Sequence, residues 1–170
     1  MQIRQLQIAN DSVQDRLVLR VGTQANEEYR IYITRRFLRE IWPHLVEMLN
    51  GHLSGQSVTV VEANADTDVV PGEAASFEQS FIDDNPSYPL GATPLLASEA
   101  VLEASGDGTA RLILREGRER RFTLELTAEI LHALCAMLRA ANDQAAWDLT
   151  LAYDSPAPIS PPPTGKTLLH

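Results

Sequence analysis

Three groups of residues have types and spacings that could do chemistry, and each lacks a part that the chemistry needs. The fragment TGKT, Thr164 to Thr167, ends like a phosphate-binding loop, in which backbone amides cradle phosphates and a lysine reaches them. That loop needs a glycine five residues before Gly165, where Ser160 stands, and a helix after it; Pro161, Pro162 and Pro163 precede the fragment instead. Asn64, Asp66 and Asp68 offer the alternating oxygens that open a calcium loop, but Val69 stands where the turn requires glycine and Ala75 where a bidentate glutamate closes the shell. His132 and Cys135 lie three apart on one expected helix and could pair a base with a thiol nucleophile. Cys135 falls inside an apolar stripe, however, and an inert core thiol is the simpler reading. One cysteine and four scattered histidines make no zinc pattern. The expectation is no catalytic residue, no metal ligand and no cofactor, with an enzyme the less favoured class.

What remains is binding chemistry. Arg16, Val18, Arg20, Arg30 and Tyr32, and further along Arg111, Ile113, Arg115, Thr123 and Glu125, alternate with apolar residues at the two-residue period of a strand. They therefore share the sheet face opposite the expected helices. Guanidinium groups mixed with aromatic and branched side chains are enriched at protein interfaces. Val18, Arg20, Arg30, Tyr32, Arg111, Ile113 and Arg115 form the candidate interface. Phe77 and Phe81, one turn apart in a short helix expected over Glu73–Ile82, join it, either docked on the protein's own body or carried on an acidic arm to a partner. Single-stranded nucleic acid could use the same mixture by stacking. Tyr32 is the sole aromatic platform on the face and the formal charge of −9 opposes phosphate, so that partner is disfavoured. A pocket near Trp42 and His44, between two halves, is the alternative reading, for a small-molecule binder or enzyme.

The elements that must position these residues come from an internal repeat. RLVLR, from Arg16, matches RLILR, from Arg111; the strand EYRIYIT, from Glu28, matches RFTLELT, from Arg121. Thr34 and Thr127 close these strands and suit helix N-caps. Apolar stripes at helical spacing follow, Phe37, Leu38, Ile41, Leu45, Met48 and Leu49 in one copy and Ile130, Leu131, Leu134, Cys135 and Leu138 in the other. Pro43 should kink or split the first helix. Candidate strands at Ile3–Ile8 and Leu96–Ala104 precede the hairpins, and Leu149, Leu151 and Tyr153 suggest a last short strand. The expected fold class is α+β, two similar strand-strand-strand-helix halves related by a pseudo-twofold, with helices packed on antiparallel sheet.

The 170 residues, 44% apolar, suit a single domain with a first half at 1–53, an acidic connector at 54–93, a second half at 94–154 and a Pro-rich tail at 155–170. The connector carries seven acids and no base, and most of the charge imbalance belongs to it. Its length exceeds that of an ordinary loop and suggests a functional or mobile segment. The extended tail either docks on the chain's own body or, exchanged between subunits, makes a homodimer. An amino terminus without an apolar run, one cysteine and no long apolar window point to a cytoplasmic protein that does not enter the membrane.

Duplicated strand-rich units under a covering helix resemble, in topology, the Pur and Whirly families of single-strand binders. More directly, EYRIYITRRFLREIWPHL, from Glu28, and LTAEILHALCAMLRAANDQAAWDL, from Leu126, resemble an uncharacterised bacterial protein family of unknown function. That resemblance implies a bacterial origin and carries over no site residue. The favoured function is a protein-protein interaction or adaptor domain acting as a homodimer.

Overall fold

Alternation decides the strands. In β2 (Arg16–Thr23) and β3 (Glu28–Thr34), Leu17, Leu19, Val21, Ile31 and Ile33 are buried, while Arg16, Val18, Arg20, Arg30 and Tyr32 keep part of their surface. With β1 (Ile3–Asp11) they form an antiparallel meander, β1 to β2 and β2 to β3. The computed structural model describes residues 1–54, 81–105 and 107–152.

The helix α1 (Arg35–Ser54) begins where the Thr34 hydroxyl accepts the Phe37 amide at 3.2 Å. Pro43 does not split it. The proline has no N–H for the carbonyl of Arg39, yet Phe37, Leu38, Ile41, Trp42, Leu45, Val46 and Leu49 are buried on both sides of it. Packing of that stripe holds the two turns together across the missing bond.

A single strand over Leu96–Ala104 is not what forms. Leu95 and Leu96 make β4 (Leu95–Leu96), parallel to Ile31 and Tyr32 of β3, and complete a four-stranded sheet. The Ala97 amide still reaches Tyr32 at 3.0 Å, but the Ser98 amide turns to the carbonyl of Arg115 at 2.9 Å. From there β5 (Glu99–Ala104) pairs antiparallel with β6 (Ala110–Glu116), and β6 with β7 (Arg120–Leu126), as a separate three-stranded sheet. The extended run thus changes sheets at Ala97–Ser98. The expected antiparallel sheet is two sheets, one of which includes a parallel pair.

The helix α2 (Ala128–Ala145) starts on Thr127, whose hydroxyl accepts from Ile130 as Thr34 does from Phe37. Ala146, in the left-handed region, ends it. No strand follows among the described residues. The Asn142 side-chain amide takes the Leu149 amide at 3.3 Å and gives to the Leu149 carbonyl at 3.0 Å, using the groups that a strand would offer a neighbour. Tyr153 and the tail lie outside the described residues, as do the strand expected at Ser57–Val61 and most of the helix expected at Glu73–Ile82. Phe81 and Ile82 are described and are not helical.

The fold is α+β, two sheets and two helices among the described residues, in the order strand-strand-strand-helix twice with β4 between. The elements interlock. α2 packs on β1 as well as on α1 and β7, and α1 reaches β5 as well as β3. Buried residues from both sheets and both helices form one apolar core. Where Leu19, Ile33, Phe37, Leu38, Leu112, Leu114, Leu134 and Leu138 converge, the gap is about 10 Å³, the room of a single water at most.

Candidate functional site

Each sheet has an outer face, turned away from the core, and on each a pair of arginines stands directly opposite across two strands. On the first sheet the pair is Arg20 and Arg30. Like charges in that position repel, and the structure answers with acid, rings and backbone. Glu28, only 2% exposed, takes Arg20 through both carboxylate oxygens at 2.8 and 3.2 Å. Asp83 binds the same guanidinium, and Gln7 accepts from it at 3.3 Å. Burial alone would lower the Arg20 pKa; hydrogen bonds and charge from Glu28 and Asp83 outweigh it and leave it above its ordinary value.

The covering groups belong to the end of the acidic connector. Phe81 lies over the Arg20 guanidinium at 3.9 Å and Tyr88 over that of Arg30 at 4.3 Å. Arg30 also donates to the Ala92 carbonyl at 2.5 Å, and its Nε is buried with no acceptor among the described residues. Ile82 is gripped by the Gln5 side-chain amide, which donates to its carbonyl and accepts from its amide, both at 3.0 Å. Gly22 makes that grip possible, because a Cβ there would stand 2.7 Å from Gln5 Cγ. Ser87 runs beside the start of β3, accepting from the Glu28 amide at 2.8 Å and donating to the Asn26 carbonyl at 3.0 Å. The segment is then anchored by Arg120, which donates to the carbonyls of Leu90, Thr93 and Pro94 and pairs with Glu116.

The second sheet also carries an opposed arginine pair, Arg115 and Arg121, and no described segment covers it. Its outer face carries three cross-strand rows: Glu99, Arg115 and Arg121; Val101, Ile113 and Thr123; Glu103, Arg111 and Glu125. Val101, Ile113 and Thr123 are half-buried, whereas Glu103, Arg111, Arg121 and Glu125 are exposed. Among the described residues no ring lies over these arginines and none of them has an ion pair. At the hairpin end, Glu99, Arg115, Gly117, Arg118, Arg120 and Arg121 line a cleft of about 560 Å³.

The structure therefore separates the sequence-derived face into two. Arg20 and Arg30 lie under the connector, with Arg16 over the Tyr32 ring at 5.2 Å beside them and Val18 half-buried on the same face. Arg111, Ile113 and Arg115 lie on the other, over which no described segment passes. Phe81 docks on the protein's own body; Phe77 lies outside the described residues. Trp42 is buried, with its indole N–H donated to the Ala152 carbonyl at 3.2 Å, and His44 is half-buried near it. Cys135 is fully buried and its thiol is pushed up to about 12 by desolvation, while His132 is exposed. Among the described residues no cluster of His, Cys, Asp and Glu could hold a metal, and no helix is long and apolar enough to cross a membrane. Sequence reasoning missed Gln5, Glu28, Asp83, Tyr88, Arg120 and Arg121 as members of these faces. Only Arg121 carried a signal, since the register of β7 against β6 follows from the short turn at Gly117.

No protein-family model, no curated protein and no solved structure matches the chain.

Proposed function

We propose that the chain is a non-enzymatic protein-binding domain, working as a homodimer, whose binding surface is the outer face of the second sheet. One observation carries this reading. The arginine face of the first sheet is closed by residues 81–92, whereas the row Val101, Ile113 and Thr123, bordered by Arg111, Arg115 and Arg121, has no such segment over it among the described residues. An apolar row whose border mixes these arginines with Glu99, Glu103 and Glu125 has the apolar centre and charged rim of a protein interface. In the same proposal the two strand-strand-strand-helix halves are copies of one unit related by a pseudo-twofold, with one face closed from within and its counterpart kept for a partner. The core gap lined by Leu19, Ile33 and Leu134, about 10 Å³, holds no small molecule, while Thr34, Arg36 and Phe37 of the first half and Leu96, Ala97 and Ser98 of the second line an open cleft of about 270 Å³.

The test is affinity capture with the tagged chain and with its Ile113→Asp variant, both with melting measured. A protein retained by the first and lost by an equally stable second supports the face; identical capture removes it. Light scattering tests the homodimer, which has twice the chain's 18.8 kDa. A monomeric wild type removes the dimer and leaves the binding face standing, and a dimer made monomeric by Ile113→Asp places a second copy on it.

A further inference from the structure

The covered face is an internal example of what an opposed pair of arginines on these sheets accepts. Arg20, already paired with Glu28 of β3, and Arg30 are covered by an extended segment that brings a further carboxylate, Asp83, two rings over the guanidinium groups, Phe81 and Tyr88, and a backbone bonded beside β3 through Ser87. Arg115 and Arg121 repeat the opposed pair on the second sheet, and β7 has a strand neighbour on one side only among the described residues. We propose that the Arg115–Arg121 pair binds an extended acidic peptide with flanking aromatic residues, supplied by a partner protein and matching the chemistry of residues 81–92. The inference rests on the second sheet's outer face being the binding surface.

Three features select this occupant. Arg115, Arg118 and Arg121 converge on the cleft of about 560 Å³ without an ion pair among the described residues, which calls for negative charge. Glu99 and Glu119 line the same cleft. They repel a uniformly anionic strand, so the acid must be local and sit over the arginine pair, with uncharged groups on either side. The cleft is also the size of a site for a few side chains. Finally, all the cations are arginine. A planar guanidinium takes a carboxylate on its edge and a ring on its face at once, which a lysine cannot do. Phe81 and Asp83 do both to Arg20.

The probe is a labelled peptide with the sequence of residues 81–92, FIDDNPSYPLGA, titrated with the full-length chain at low ionic strength and followed by anisotropy. Saturable binding of one peptide per chain is expected, weakened by about tenfold or more in Arg115→Ala/Arg121→Ala. Similar losses are expected for peptides with Asn at the two positions matching Asp83 and Asp84, or with Ala at those matching Phe81 and Tyr88. Arg115→Lys, which keeps the charge and loses the stacking plane, should bind less well than the wild type. Melting curves establish that each variant is folded. Arg20→Ala should leave the affinity within about twofold.

Binding weaker than about 1 mM overturns the proposal. So does binding that is lost with Arg20→Ala and kept with Arg115→Ala/Arg121→Ala, since the peptide is then exchanging with the chain's own segment. Single-stranded DNA that displaces the peptide and depends on the same arginines overturns it in favour of nucleic acid. If the peptide fails while Ile113→Asp still abolishes partner capture, the peptide chemistry falls and the face stands; if both fail, the face falls too.

Discussion

A side chain's neighbours decide whether its chemistry is available, and Cys135 shows it. Buried among the core residues of α2, its thiol is pushed up to about 12 from 9.0 by desolvation. The unfolded chain loses this proton near the ordinary thiol value while the folded chain keeps it, so stability falls as pH rises between those two values. Cys135→Ala should remove that part of the alkaline loss, read as a flatter dependence of melting temperature on pH above about 9. In the native state at neutral pH, an alkylating reagent should label Cys135 no faster than the protein opens globally. The grip on the connector is equally local. Gly22→Ala places a methyl group against Gln5 and releases Ile82, and should lower stability by about 1–2 kcal/mol in thermal melts. The alternation of Arg20 and Arg30 with buried leucines and isoleucines was legible in the sequence because period two is local. The rings over them were not. Phe81 and Tyr88 lie some sixty residues away along the chain, and no periodicity reports a contact of that separation.

Among the elements, caps were the most legible and edges the least. Thr34, the last residue of β3, and Thr127, the residue after β7, begin helices by the same bond, a contact spanning three residues that spacing alone predicts. The close of α2 carries strain that its sequence does not relieve, because Ala146 sits at φ 52° and ψ 40°, where glycine is the ordinary choice. Ala146→Gly should therefore raise stability, by about 0.5–1 kcal/mol in denaturant titration. The change of sheets at Ala97–Ser98 could not be read from its residues, since LLASEAVLEA has the same alternation whether it joins one sheet or two. Backbone partners on Tyr32 and Arg115 decide it. Similarly, Leu149 and Leu151 alternate as a strand does, but Asn142 takes the Leu149 backbone first. The closing segment over the first sheet is an element held chiefly by side chains. Phe81→Ala/Tyr88→Ala removes both rings from the arginines and should cost about 1–3 kcal/mol, seen as a lower melting temperature with the far-ultraviolet spectrum unchanged.

At the scale of the whole molecule, the two halves share a core. Leu19, Ile33, Phe37 and Leu38 of the first half converge with Leu112, Leu114, Leu134 and Leu138 of the second around a gap of about 10 Å³. Leu112→Ala, in the second half, should cost about 2–5 kcal/mol. Trp42 and Trp147 fluorescence and far-ultraviolet circular dichroism should still report one coincident transition; separated transitions would mean that the halves unfold independently. The two indoles reinforce this unity by crossing between halves. Trp42 of α1 donates to Ala152, beyond α2, and Trp147 donates at 2.7 Å to Asp15, in the turn before β2. This last contact spans 132 residues. Its consequence belongs to biosynthesis. On the ribosome, β1, β2, β3 and α1 emerge long before α2, with Leu6, Leu19 and Ile33 lacking the leucines that will cover them. A nascent first half exposes that apolar surface until α2 has left the exit tunnel, so its exposure during synthesis is set by how far along the chain α2 lies.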